Sequence, residues 1–238
     1  RFLNSIQLNT KYFRLTTNGK IGKNIRFKNK NISQDTISMK EINSYLNKLT
    51  DRNIEQITKE IKNRLTKKEY LKAMIIENII HKCIVHPSYN TYYIDILLDI
   101  YKDCDQLNQM IEKNSDTIYQ KIIQKDIDTT QSEYLQFCDK NRHLDLIIGY
   151  SLLITELEKK KIIENKIGPS LNELLNVMES DTETEEKYKC SQCLYNIFKS
   201  YYESSLLPQG YIDRINKIKS SEKSMKIKFK LMDILERK

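Results

Sequence analysis

From about Ser38 to Arg237 apolar side chains return every three or four residues, and the sequence holds few residues able to interrupt that rhythm. The clearest run follows Pro87. Tyr93, Ile96, Leu97, Ile100, Tyr101 and Cys104 fall at i, i+3, i+4, i+7, i+8 and i+11, the buried stripe of one helix. The 238 residues contain 5 Gly and 3 Pro, where average usage gives roughly 17 and 12. A sandwich, a barrel or a glycine-looped nucleotide fold needs turns that this chain cannot supply. The 39% of hydrophobic residues are enough for a sizeable core when arranged along helices.

The same spacing marks the other helices. Ile42, Tyr45, Leu46 and Leu49 form one stripe, and Thr50 or Asp51 is placed to cap a second helix carrying Ile54, Ile57 and Ile61. Leu71, Met74, Ile75, Asn78, Ile79 and Lys82 make a third, stopped at His86-Pro87. A less regular unit runs from Ile118 through Tyr134, Phe137 and Cys138. Leu144 to Leu157 is then apolar nearly all round, as in a helix packed on both sides. Gly168-Pro169 breaks the pattern before Leu171, Leu174, Leu175 and Met178. An acidic turn, Ser180 to Glu186, leads to Tyr188, Cys193, Leu194, Ile197 and Tyr201. Pro208 to Gly210 breaks again, before Ile212 to Ile218 and a last helix over Met225 to Arg237. About ten helices over residues 37–238 amount to about 40 residues per pair, the period of HEAT-type repeats. The expectation is an all-α chain, an α-solenoid of about five HEAT-type helical hairpins, preceded by a basic arm or linker at 1–36.

Charge is distributed unevenly. Residues 1–50 hold 10 Lys and Arg against 2 acids, residues 51–210 hold 21 against 26, and residues 211–238 hold 9 against 4. Basic ends around an acidic middle suggest a partner surface, with nucleic acid one candidate and plain solubility the other reading. Within the arm, Gly19-Lys20-Ile21-Gly22 spells the G-x-x-G of a nucleotide-backbone clamp, and Lys20, Lys23, Arg26, Lys28 and Lys30 are the candidate RNA contacts. Lys159-Lys160-Lys161 reads as a solvated helix C-terminus, where cations complement the dipole. At the other end, Lys223, Lys226, Lys228 and Lys230 surround Phe229, a basic and aromatic mixture suited to RNA phosphates or an acidic protein; burial in the core is the plainer reading of Phe229.

None of the phosphate-binding, nucleophile-elbow or H-E-x-x-H signatures occurs, so the expectation is a non-enzyme without cofactor. Five Cys, at 83, 104, 138, 190 and 193, do not make a disulfide framework and suit a reducing compartment. Cys83-x-x-His86 and Cys190-x-x-Cys193 have zinc-ligand spacing, but Cys193 lies on its helix's apolar stripe, and buried structural thiols are the preferred reading. No apolar stretch approaches the roughly 18 to 20 residues needed to span a bilayer. Arg1 is not an initiator Met, so the chain reads as part of something longer.

Four ordered blocks then carry a resemblance. Leu46-Asn47-Lys48-Leu49-Thr50 comes first, and Lys82-Cys83-Ile84-Val85-His86-Pro87-Ser88-Tyr89 second. Ile148-Gly149-Tyr150-Ser151-Leu152-Leu153-Ile154-Thr155-Glu156-Leu157 is third, and Ser224-Met225-Lys226-Ile227-Lys228-Phe229-Lys230-Leu231-Met232-Asp233 closes the series. Together they resemble the middle domain of translation initiation factor 4G, whose corresponding blocks are Leu-Asn-Lys-Leu-Thr, Lys-Ala-x-x-Glu-Pro-x-Phe, Leu-Gly-x-x-x-Phe-Ile-Gly-Glu-Leu and Ser-Ser-Arg-Ile-Arg/Lys-Phe-x-Leu-x-Asp. His86 stands at the family's Glu and Thr155 at its second Gly.

The resemblance implies a crescent of five HEAT repeats that holds both lobes of a DEAD-box RNA helicase of the initiation factor 4A type and stimulates it. The first repeat would touch one lobe through Leu46, and the last the other through Lys226 and Phe229. Lys for the family's Arg keeps the charge but loses the planar fork. The implied function is a cytoplasmic scaffold that assembles a cap-binding complex on mRNA, in a host's cytoplasm if the source is a virus; the predominance of Lys, Ile and Asn follows A·T-rich codons and suits either such a virus or a eukaryote with an A·T-rich genome. The cap-binding subunit's docking motif is not found in residues 1–36 and is expected upstream. Two alternatives stand beside it: an RNA-processing or decay scaffold of the same superfamily, and a helical RNA-binding module with no helicase partner.

Overall fold

The computed structural model describes residues 34–65, 71–102, 104, 106–123, 130, 132–202 and 208–236. The chain divides into two units at the Ile37–Ser38 junction; of the first, only residues 34–37 are described, and the packing below is that of the second. The described residues form α-helices and turns, among them a 3-10 turn at Pro87–Tyr89, and no strand. Paired in chain order, the helices are α1 (Gln34–Asn47) with α2 (Ile54–Leu65), α3 (Lys72–Val85) with α4 (Asn90–Ile100), and α5 (Leu107–Ile123) with α6 (Glu133–Lys159). Then come α7 (Ile167–Glu179) with α8 (Thr184–Tyr201), and α9 (Gln209–Ser221) with α10 (Met225–Glu236). Helix α6 packs on α3, α8 on α6, and α10 on α8, while α9 packs on α7, so neighbouring hairpins lie side by side. The architecture is all-α, as the periodicity requires.

The turns follow local chemistry. Between α1 and α2, Asn53 rather than Thr50 or Asp51 organises the turn. Its Oδ1 accepts the Thr50 N–H at 2.8 Å and its Nδ2 donates to the Lys48 carbonyl at 2.8 Å, so its amide holds both sides of the loop. Pro87 opens a single 3-10 turn between α3 and α4. Gly168 and Pro169 do not precede α7 but sit inside its first turn, where no intrahelical donor is needed. Gly210 likewise lies in the first turn of α9, after an extended Pro208. Of the irregular stretch expected to run from Ile118 to Cys138, residues Ile118 to Ile123 end α5 and Glu133 to Cys138 begin α6. Tyr134, Phe137 and Cys138 begin α6, whose first two turns reach into solvent and leave Tyr134 73% and Phe137 61% exposed.

From Leu144 onward α6 is enclosed, touching α3, α4, α5, α7 and α8. The closest approach is at Gly149. A Cβ placed there would lie 1.9 Å from the carbonyl oxygen of Ile84 and 2.8 Å from its carbonyl carbon, both backbone atoms of α3. Only a residue without a side chain lets the two helices cross at that separation. On the α1 side of α3, Asn78 donates to Asn43, and Lys82 donates to Asn47 Oδ1 at 2.5 Å.

A second junction is electrostatic. Glu158, in the last turn of α6, accepts the backbone N–H groups of Lys166 and Ile167 at 2.9 and 3.0 Å through Oε2, which caps the start of α7. Its Oε1 accepts the Tyr201 hydroxyl of α8 at 2.9 Å. Lys166 reaches back to Asp116 at 2.9 Å and Glu112 at 3.2 Å on α5; the Asp116 hydrogen bond, ahead of that from Glu112, raises the ammonium's pKa. The connecting turn needs positive φ at Lys161 and Asn165, 57° and 60°. Farther along, Arg214 of α9 spans α7 with a fork on Glu179, at 3.0 and 2.9 Å, and bonds to Asn172 and Asn176.

Gly149→Ala should destabilise the fold by about 3 kcal/mol or more, since backbone rather than a flexible side-chain end meets the new methyl; urea unfolding measures it. Alkaline pH provides a second test. Burial first of all pushes the Cys190 and Cys193 thiols up to about 12 from 9.0, and Tyr119 to about 12 from 10.0. These raised groups contribute stability that is whole below their unfolded values and is lost as pH rises through the folded ones. The urea midpoint should therefore be flat between about pH 8 and pH 9 and fall steadily toward pH 12.

Candidate partner-docking surface

The last helix is built to be held on one face and open on the other. Glu222 Oε1 accepts the N–H groups of Lys223 and Ser224, both at 2.8 Å, placing a carboxylate at the positive end of α10. The Lys228 N–H closes the first turn on the Ser224 carbonyl at 3.0 Å. Ile227, Leu231 and Ile234, at i, i+4 and i+7, are buried, and α10 packs with them on α8 and α9. Two lysines tie it further. The Lys226 ammonium lies 3.5 Å from the centre of the Tyr188 ring, and that of Lys230 lies 4.2 Å from the centre of the Tyr195 ring, both on α8. Exposed cation–π contacts of this kind are worth about 0.5–1 kcal/mol each.

Opposite the buried stripe runs a second apolar one. Met225, Phe229 and Met232, also at i, i+4 and i+7, are 58%, 56% and 38% exposed. At 100° per residue, Lys226 and Lys228 fall on its two sides. A helix with apolar residues on both faces, one of them uncovered and rimmed by cations, has the form of a contact for an apolar, acid-edged partner.

The sequence-derived candidates divide accordingly. Phe229 is on the surface, not in the core. Lys226 is exposed as well, but its ammonium rests on Tyr188, so it already serves the seating of α10. Leu46 is a correction: its side chain is 1% exposed and packed in the core beside Leu49 and Ile42, and its carbonyl accepts the Tyr93 hydroxyl at 3.4 Å. Helical spacing turns Leu46 inward, and the exposed members of its string are Asn47, Lys48 and Thr50. Lys20, Lys23, Arg26, Lys28 and Lys30, with the Gly19–Gly22 clamp motif, lie outside the described residues. Met225 and Met232 were missed, although their spacing from Phe229 repeats that of the buried stripe.

The four cysteine and histidine positions with zinc spacing are spread over two helices and a helix end. Cys83 is buried on α3, Cys190 and Cys193 are buried on α8, and His86 is exposed. Among the described residues no three His, Cys, Asp or Glu side chains come together as a metal site. Burial also pushes the Cys83 thiol well up, so these thiols are protonated at neutral pH. No described helix is long and apolar enough to cross a membrane. Neither the protein-family models nor the curated proteins contain a match to the chain.

Leu46→Ala should cost about 2–5 kcal/mol of stability, whereas Phe229→Ala should stay within about 0.5 kcal/mol of the parent, as surface changes do. Paired thermal melts followed by circular dichroism compare the two.

Proposed function

We propose that this chain is a non-catalytic scaffold of translation initiation, resembling the middle domain of initiation factor 4G, which docks a DEAD-box helicase of the initiation factor 4A type through α10. The observation that carries this reading is the uncovered Met225–Phe229–Met232 stripe between Lys226 and Lys228. It coincides with the closing sequence block, where the resemblance puts one helicase lobe. An exposed aromatic within a small apolar patch is the usual form of a binding hot spot. The contribution of the first hairpin would come through Asn47, Lys48 and Thr50 on its surface, because Leu46 is occupied in the core.

A rigid scaffold that contacts both lobes raises their effective concentration and favours a half-closed arrangement of the helicase. Assembly of a cap-binding complex on mRNA, through segments beyond these helices, belongs to the same proposal. The chemistry would be the helicase's own; the scaffold supplies orientation.

The test is the RNA-dependent ATPase rate of a purified 4A-type helicase with and without this protein. Stimulation should occur, and Phe229→Ala should weaken the complex about 30-fold or more, as loss of a hot-spot aromatic does, with the helical circular dichroism unchanged. Binding indifferent to Phe229 but steeply lowered by salt would instead favour direct RNA contact.

A further inference from the structure

Between the third and fourth hairpins lies a cleft of about 220 Å³, away from the α10 stripe and independent of the helicase reading. Its walls are apolar: Ile147 and Ile154 of α6 and Leu174 and Val177 of α7 face it, together with Tyr119 and Tyr150. Those two rings stack with centroids 4.4 Å apart and planes 17° from parallel, which stiffens one side. An apolar cavity of about 150 Å³ accommodates a benzene ring, so a ring-sized body fits here with room for a polar head.

The charged groups at the cleft are predominantly acidic. Glu173 and Glu186 both line it. The Tyr119 hydroxyl donates to the Glu173 carboxylate, lying 3.3 and 3.2 Å from its two oxygens, and fixes its position. Lys189 also lines the cleft, its ammonium paired with Asp145 at 2.9 Å, which leaves two carboxylates against one cation already engaged. After burial and Cys193, the carboxylates of Glu186 and Glu173 both push the Cys190 thiol upward, while at Cys193, where burial dominates, Lys189 acts in the opposite sense, so the acidic character belongs to the Glu173 and Glu186 side of the cleft. His143 is the remaining titratable lining group.

We propose that this cleft binds a small amphipathic cation, an aromatic or aliphatic body ending in an amidinium, guanidinium or ammonium that reaches Glu173 and Glu186. The apolar part leaves water among the side chains of α6 and α7, and the head forms charge-assisted hydrogen bonds at the mouth. Two sources share that chemistry, a free small molecule and the arginine side chain of a partner.

Calorimetric titration of the whole protein at about pH 8, above the ordinary imidazole range, tests the proposal. Benzamidine is the probe, with the uncharged benzamide as its control. Benzamidine should bind at least about tenfold more tightly, the difference expected of a charge-assisted hydrogen bond. Glu173→Gln with Glu186→Gln should abolish that preference without altering the circular dichroism. Hydrogen exchange should slow in α6 to α8 on binding. A parallel titration with N-acetyl-argininamide separates the sources: binding of both probes assigns a partner's side chain, and binding of benzamidine alone a free aromatic cation. No binding, equal affinity for benzamide, or affinity that survives both substitutions would overturn the proposal. Val177→Phe, which fills the cleft from its apolar side, should abolish binding of every probe; binding that persists in it would place the ligand elsewhere and likewise refute the site.

Discussion

The stack depends on a place where two backbones nearly touch. At Gly149, α6 crosses α3 so closely that Ile84's carbonyl fills the space a side chain would need. That distance sets how far α6 can sink between the second and fourth hairpins. It thereby fixes which residues from Leu144 to Leu157 become core. Helix packing ordinarily leaves 8–10 Å between axes, depending on the side chains at the contact, so a glycine at the crossing point acts as a spacer of minimum thickness. Helices α7, α8 and α10 are then placed against α6 or against α8, which rests on it, and α9 against α7 and α10.

Glu158 supplies the directional counterpart. Apolar packing is indifferent to small rotations, but a carboxylate that accepts two N–H groups of α7 and a hydroxyl of α8 is not. It satisfies donors at a helix start that would otherwise be short of acceptors. Lys166, next to the capped amide, reaches α5 and brings that helix into register with the turn. Arg214 repeats the device between α9 and α7 with four acceptors. Polar ties of this sort are modest individually, yet they choose among packings that burial alone would leave nearly equal.

The helices were legible because burial leaves a period. Tyr93, Ile96 and Leu97 are buried as their spacing demands, and the all-round apolar run from Leu144 lies between layers. What escaped has no period. The first turns of α6 carry Tyr134 and Phe137 outward, and apolar identity alone does not say which way a helix end faces. Asn53, Glu158 and Glu222 each act through one or two atoms on backbone that lies nearby only once the chain has turned. The candidate docking surface was half visible. Phe229 was marked by its block and its lysines, whereas Leu46 was marked only by its block, and its own stripe with Ile42 and Leu49 already directed it inward. Where periodicity and motif disagreed, periodicity located the side chain.

The contact of Lys226 with Tyr188 makes the seat of α10 and the surface it presents a single thermodynamic system. A carboxylate on a partner can take that ammonium only by drawing it from the ring, so part of any gain outside is offset by a loss inside. The coupling works in both directions. Whatever fastens α10 more tightly to α8 withholds the lysine from visitors, and whatever captures the lysine loosens the helix on which Phe229 is carried. In that sense α10 behaves as a balance beam, with the seating of the helix on one arm and the freedom of its lysine on the other.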